Sequence, residues 1–401
     1  MLPIAAGLGY ATSVLHIYGM SPYIVPISDE FGWSRTLTTS GLTLSTLVQA
    51  LASVPIGMAV DRIGPRKIGL IGVVLTCAAL ALVSTATGTA SNWYMLWIVM
   101  AFASMGVQAT VWTSAVATRF ETSRGMALAV TLCGASVAAA VLPWFATELI
   151  LAYGWRIALM AHGGVWLAIA FPMILLFFRG ARDERPAAKP APHAPDLTQG
   201  FTLGEGMRSS VYLRLLLTSL LLTFTLIALL VHFIPIQQAS GVGPERAAWV
   251  AALIGLFSIA GRLATGALLD RYRASTVGAV IFLFPAIGCA ALLLGGATGG
   301  TALLAAACIG LALGAEVDVV VFLTTRHFGL RSFGALYGGL LFAMSIGTAL
   351  GPLAASQVFD LYGDYTAFLW LACGLMVLSS VALATLPRVD PSWPWQSTPD
   401  S

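Results

Sequence analysis

The chain has 401 residues, of which 58% are hydrophobic and only 9% charged, with a mean hydropathy of +0.88. A soluble domain keeps its surface wetted with roughly 25% charged residues, so this composition excludes a water-soluble globular protein and places most of the surface in lipid. A formal charge of +3, scattered along the chain, gives nucleic acid nothing to bind.

Apolar segments recur at 3–27, 36–60, 68–87, 92–117, 125–150 and 157–178, and again at 213–236, 247–269, 274–296, 301–325, 333–357 and 365–387. A spanning helix takes about 20 apolar residues, so each segment is long enough to cross a bilayer. The N-terminus has no basic stretch and no small-residue cleavage pattern, so the first segment is expected to be a span, not a removable leader. The sixth and seventh segments are separated by a polar stretch rich in Pro, Ala and charge, which reads as a flexible linker. The expected organisation is a six-helix bundle over 1–178, a cytoplasmic linker over 179–212, a second six-helix bundle over 213–388 and a cytoplasmic tail over 389–401.

Basic residues set the orientation. With both termini inside, cytoplasmic loops and tail hold 16 of the 20 lysines and arginines. The opposite side holds Arg35, Arg156 and Arg246, and Arg262 falls inside a span. The positive-inside rule therefore predicts N-in and C-in. Trp33, Trp93, Trp155 and Trp249 fall at the outer ends of spans and are expected to form an interfacial belt. Cys77, Cys133, Cys289, Cys308 and Cys373 all lie in apolar runs without metal or disulfide spacing and read as small buried hydrophobes. No cofactor is implied.

The halves repeat. Gly57, Asp61 and Arg62 recur 209 positions later as Gly266, Asp270 and Arg271, and Pro143, Tyr153 and Gly154 recur as Pro352, Tyr362 and Gly363. Parallel six-span repeats are what two-fold related transporter halves require, with a substrate site near the midplane.

Gly57, Asp61, Arg62, Gly64, Arg66 and Lys67 fit the pattern G-x-x-x-D-R-x-G-x-[RK]-[RK] at every defined position. The loop resembles the signature of the major facilitator superfamily. That resemblance implies an all-α integral membrane fold, twelve transmembrane helices in two pseudo-symmetric six-helix bundles. Gly57 and Asp61 share a helix face, and Asp61 is expected to meet the N-terminus of the eleventh span near Ser332, latching the inner side. The alternative is that these charges only fix topology. Asp270 and Arg271 form a degenerate second copy, expected to latch the fifth span near Gly125. At a finer level Phe31, Gly32, Trp33, Ser34 and Arg35, then Arg124 and Gly125, Tyr153 to Arg156, and Gly261 with Arg262 are similar to the monocarboxylate transporter family and its bacterial relatives, including oxalate–formate antiporters. In that family the arginine at the Arg262 position binds the substrate carboxylate. The lysine and aspartate that accompany it in the animal proteins are missing here; Ser258 stands four before Arg262.

A cation inside a span costs roughly 2.5–3.5 kcal/mol on insertion scales and is kept where it faces a wet cavity with a partner. Arg262 is read as a carboxylate clamp, the alternative being a structural pair with Glu316 or Asp318. These two acids lie about 200° apart on their helix; one is expected to pair, for instance with Arg326, leaving the other as the proton carrier, Asp318 before Glu316. His16, on a face with Gly9, Thr12, Met20 and Tyr23, and His232, on a face with Thr218 and Thr225, are candidate cavity residues, the alternative being helix contacts. Gln108, Trp112, Tyr337 and Met344 join them; Glu148 and His162 read as interfacial.

These features together point to a carrier, not an enzyme: a monomer in the inner or plasma membrane that moves a small organic anion, a monocarboxylate, with a proton by alternating access. Proton-independent anion exchange, efflux of hydrophobic compounds and a non-transporting sensor are the competing readings.

Overall fold

The computed structural model describes residues 1–119, 124–179, 200–329 and 331–389. These are almost entirely helical; the sole β feature among them is an isolated bridge between Gly200 and Gly329. The first segment is broken into α1 (Leu2–Ser13), α2 (Leu15–Tyr18), a 3-10 turn (Ser21–Tyr23) and α3 (Ile24–Phe31). There follow α4 (Arg35–Ile63), α5 (Pro65–Val83), α6 (Ala90–Ser104), α7 (Ala109–Arg119) and α8 (Arg124–Phe177). The second series begins with the short α9 (Leu203–Arg208). It continues with α10 (Ser210–Ala239), α11 (Pro244–Arg271), α12 (Ala274–Gly295), α13 (Gly299–Phe328), α14 (Phe333–Tyr362) and α15 (Thr366–Ala384). Among the described residues nine helices are long and apolar enough to cross a membrane.

Helix ends follow from local chemistry. Gly32 closes α3 in the left-handed region at φ 63°, and Ser34 opens α4 by accepting from the Leu37 N–H at 3.1 Å. Gly64 ends α4 at φ 96°, and Pro65 starts α5, where its missing N–H costs nothing. Gly154 interrupts α8 at φ 78°, dividing it into two stretches. The internal repeat is visible in this backbone. Gly32 and Gly241 both take positive φ, as do Gly154 and Gly363 at 78° each, and both pairs lie 209 positions apart.

The chain forms two compact units. One comprises Met1–Ala188 with Leu229–Leu256 and Pro352–Tyr365; the other comprises Lys189–Ala228, Phe257–Gly351 and Thr366–Ser401. In the first, α1 crosses α8 where Gly134 lies against the Gly7 backbone, and α11 crosses α8 where Gly255 lies against Ser136 and Ala140. In the second, Gly347 and Gly351 of α14 lie against the α10 backbone at Leu220 and Phe224. Absent side chains let backbones approach, which is how helices in lipid gain packing energy.

Three expectations are corrected. The linker region 179–212 contains α9, whose start is a capping box: Thr202 Oγ1 accepts from the Glu205 N–H while Glu205 accepts from the Thr202 N–H. The Phe201 N–H also donates to the Phe328 carbonyl at 2.9 Å, anchoring this segment. Of the four tryptophans expected in an interfacial belt, Trp249 is exposed, but Trp93 and Trp155 are buried. Trp93 stacks edge-on against Trp33 and Trp97, and Trp155 donates to Glu30 at 2.5 Å. His162, expected at an interface, is buried beside Tyr23 and Phe145, with Nδ1 3.3 Å from the Tyr23 hydroxyl.

Candidate functional site

In the second unit α11 and α13 meet backbone to backbone because two glycines face the crossing. A Cβ on Gly261 would meet Leu311 Cα at 2.7 Å, and one on Gly314 would meet the Arg262 nitrogen at 2.8 Å. At this crossing Arg262 presents Nη1 to both carboxylate oxygens of Asp318, each at 3.3 Å. The contact is longer than a well-formed charge-assisted hydrogen bond, about 2.7–2.9 Å. The Arg262 side chain is 9% exposed and that of Asp318 29%. Arg262 Nε is buried without a partner, and so is Oε2 of the buried Glu316. A guanidinium has five N–H donors in a planar fork, and Asp318 engages it through Nη1 alone. Asp318 thus meets Arg262 instead of a loop arginine, because the Gly314 crossing brings α13 against α11 there; Arg326 lies over the Phe322 ring, 5.1 Å from its centroid.

The first unit holds a second polar group. The face proposed for His16 assumed one continuous helix, but the chain bends at Val14 and tightens at Ser21–Tyr23. The stripe is therefore split: His16, Met20 and Tyr23 still line one small cavity, while Gly9 and Thr12 pack elsewhere. Gly9 lies under the Trp112 ring, Thr12 accepts from Trp166 Nε1 at 2.9 Å, and Tyr23 pairs with His162. Buried His16 keeps a polar partner: its Nε2 lies 3.1 Å from the Gln49 amide nitrogen, and Gln108 donates to the Gln49 carbonyl at 3.0 Å. Gln49 was missed in the sequence; the signal available was an amide side chain in an otherwise apolar and hydroxyl-bearing span. Trp112 is fully buried, packed on Gly9, Gly69 and Phe178 with its N–H donated to the Val107 carbonyl at 2.8 Å, so it is a packing residue here and not a cavity wall.

His232 belongs to the first unit, whereas Thr218 and Thr225 belong to the second. Both its ring nitrogens are engaged: Nδ1 with the Tyr365 hydroxyl at 2.9 Å, Nε2 with the Pro352 carbonyl at 2.9 Å and Ser356 Oγ at 3.2 Å. Ser356 in turn meets Thr39 Oγ1 at 2.8 Å. His232 is fully buried and saturated, a helix-contact residue in this conformation. Tyr337 is half-buried near the start of α14, stacked parallel on Phe333; Met344 is buried, its carbonyl accepting from Thr223 at 2.9 Å.

The signature loop is placed as follows. Gly57 and Asp61 lie in α4 and Gly125 in α8, with their side chains outside the described residues, so neither expected latch contact is resolved. Arg62 and Lys67 are exposed, and Arg66 donates to the Leu175 carbonyl at 2.8 Å, tying the loop to the end of α8. Asp270 and Arg271 end α11 and are exposed. At the opposite ends of the helices, Arg156 forms a salt bridge with Glu30 and holds its carboxyl below the usual carboxylate range. Among the described residues no cluster of His, Cys, Asp and Glu could hold a metal ion.

The family model of the Major Facilitator Superfamily matches residues 6–338. The chain is 28% identical to monocarboxylate transporter 11 of Mus musculus over 401 residues, covering 96% of this chain and 86% of that protein. It is 27% identical to the Homo sapiens protein of the same name over 390 residues, covering 91% and 78%. The MFS transporter asaE of Aspergillus flavus is 27% identical over 279 residues, and the match spans 60% of its length. Among solved structures, a bacterial homolog of the human lysosomal transporter Spinster, in an inward-facing and unoccupied conformation, superposes with a TM-score of 0.67 at 18% identity, covering 96% of this chain and 92% of that one. With most of its length matched by the family model and its apolar helices in that fold, the chain belongs to the major facilitator superfamily, as a multi-pass membrane transporter and not an enzyme.

Proposed function

We propose that this transporter moves a small monocarboxylate together with a proton, by alternating access, across the cell's plasma membrane, with both termini on the cytoplasmic side. Two six-span halves, 1–178 and 213–388, joined by the cytoplasmic segment 179–212, are the moving parts in this reading. The observation that carries it is the Arg262–Asp318 pair. A buried guanidinium meets Asp318 through Nη1 alone, 3.3 Å from each carboxylate oxygen, while its Nε goes unpaired. A carboxylate arriving at Arg262 gains the bidentate geometry that Asp318 does not use. Once the substrate neutralises Arg262, the Asp318 carboxylate is left without its counter-ion inside the membrane and takes up a proton. Charge then enters as one anion and one proton, and the loaded carrier can reorient without an added net charge. The mouse and human relatives named as monocarboxylate transporters support the substrate class.

The test is transport in proteoliposomes under an imposed pH gradient. Asp318→Asn is expected to abolish gradient-driven accumulation of labelled monocarboxylate while retaining exchange of labelled for unlabelled substrate. Glu316→Gln is the comparison, since Glu316 lies on the same helix without touching Arg262 in the described contacts. Full accumulation by Asp318→Asn would reject Asp318 as the coupling site, and full accumulation by both variants would move the proton site to His16.

A further inference from the structure

Where α11 stops and α12 begins, the second unit opens a cavity of about 370 Å3. Its wall comes from the end of α11, the first turn of α12, the last turns of α13 and the stretch after α15. Arg271, Arg273, Arg326, Arg388 and His327 stand around it against one acid, Asp270. All four arginines are exposed and stand at the rim. Arg273 is fixed by donating to the Leu386 carbonyl at 2.6 Å, and Arg326 by lying over Phe322.

The floor is polar and unsatisfied. Ser275 is 3% exposed, lines the cavity, and its Oγ has no partner. The helix α12 starts here without a side-chain cap, and its internal bonds begin only with the Thr276 and Val277 N–H groups donating to the Arg273 carbonyl. The N–H groups of Ala274 and Ser275 therefore sit at the positive end of a 22-residue helix with no helical acceptor. An uncapped N-terminus, a buried free hydroxyl and a ring of guanidinium groups are the parts of a phosphate site.

We propose that this cavity binds a phosphate-bearing anion, with the first turn of α12 and the Ser275 hydroxyl donating to its oxygens and the arginines neutralising its charge. The same chemistry is presented by a phospholipid headgroup and by a soluble phosphate compound. The site is independent of Arg262 and of the substrate assigned to it.

The experiment uses the purified full chain. Phosphatidylglycerol is titrated in native mass spectrometry beside diacylglycerol, which has the same chains and no phosphate. In parallel, inorganic phosphate is added to lipid-depleted protein and followed by thermal shift. The expected result is selective retention of phosphatidylglycerol, weakened about tenfold or more by Arg326→Gln with Arg388→Gln. Ser275→Ala keeps every charge and should weaken it several-fold, whereas Arg246→Gln, at the other end of α11, should not. Retention of phosphatidylglycerol without a response to inorganic phosphate assigns the site to a headgroup; a response to inorganic phosphate alone assigns it to a soluble ligand. Equal retention of both lipids with no response to phosphate would overturn the proposal, as would unchanged binding in the double arginine variant and in Ser275→Ala.

Discussion

Asp360, near the end of α14, places its two carboxylate oxygens against the backbone N–H groups of Arg35 and Thr36, at 2.9 and 2.8 Å, and so caps a helix that begins 325 positions earlier in the chain. The Arg35 side chain closes the same contact from above: its guanidinium lies 3.4 Å from the Phe359 ring centroid and donates to the Tyr365 hydroxyl at 2.5 Å. Below it the chain of hydrogen bonds continues through His232, Ser356 and Thr39. Helix termini leave N–H groups unpaired, and a carboxylate there is worth about 1 kcal/mol at an exposed site.

Asp360→Ala is therefore expected to loosen the approach of α14 to α4. A cysteine placed at Ser356, now buried, should react several-fold faster with a water-soluble thiol reagent when Asp360→Ala is added. An unchanged rate would reduce Asp360 to a surface residue.

Arg262→Lys should insert and purify normally yet lose most monocarboxylate uptake, by about tenfold or more, because a compact ammonium cannot present two parallel N–H donors. Binding measured by thermal shift should fall with uptake. Wild-type uptake by the lysine variant would exclude the fork geometry as a requirement.

Gly314→Val tests the crossing that brings Asp318 to Arg262. The added side chain meets the Ser258 carbonyl and the Arg262 nitrogen, both backbone atoms that cannot rotate away. Overpacking of this kind costs about 1–3 kcal/mol. A lowered melting temperature together with lost uptake is expected. The same substitution at Gly338, beside which a Cβ meets nothing within 4 Å, should leave the melting temperature near that of the parent.

The Glu30–Arg156 pair sets a pH dependence at the opposite ends of the helices. Arg156 depresses the folded-state pKa of Glu30, so the pair stabilises fully above the usual carboxylate pKa and loses its contribution as pH falls through the lowered folded value. Both side chains are about two-fifths exposed, 41% and 42%, which limits the effect to about 0.5 kcal/mol. Arg156→Gln should cost more stability at neutral pH than at the acid end of a titration followed by thermal unfolding, where only its bond to the Ala86 carbonyl and its ring contacts are lost.

The long apolar helices, the repeat and the charges within them could be read from the sequence because lipid demands long apolar runs and makes every exception conspicuous. Arg262, Glu316 and Asp318 stood out for that reason, and pairing of Arg262 with one of the two acids was one of the readings left open. What the sequence did not reveal depended on helix crossings. The role of Trp112 was hidden because Gly9 and Gly69, distant in the chain, form the slot that receives its ring. The His16 face held only in part, for His16, Met20 and Tyr23, because periodicity assumes an unbroken helix and the chain bends at Val14, carrying Gly9 and Thr12 away. Arg35 and Asp360 gave no periodic signal at all, since a cap supplied from another helix leaves no mark on either local pattern. The box at Thr202 and Glu205 did leave one and was overlooked inside a stretch read by composition alone.

Gly64 and Arg273 occupy equivalent places, 209 positions apart, yet their backbones differ: φ is 96° at the first and −61° at the second. The joint before α5 therefore admits only glycine without strain, whereas the joint before α12 accepts any L-residue. Exchange at the two places should be unequal. An arginine at position 64 is held in a glycine-favoured conformation that costs about 1–3 kcal/mol, while a glycine at position 273 strains nothing but deletes a cation and its bond to the Leu386 carbonyl. The first joint has a positive φ and no side chain; the second has an ordinary φ, and the side chain it carries helps form the rim of the cavity at the end of α11.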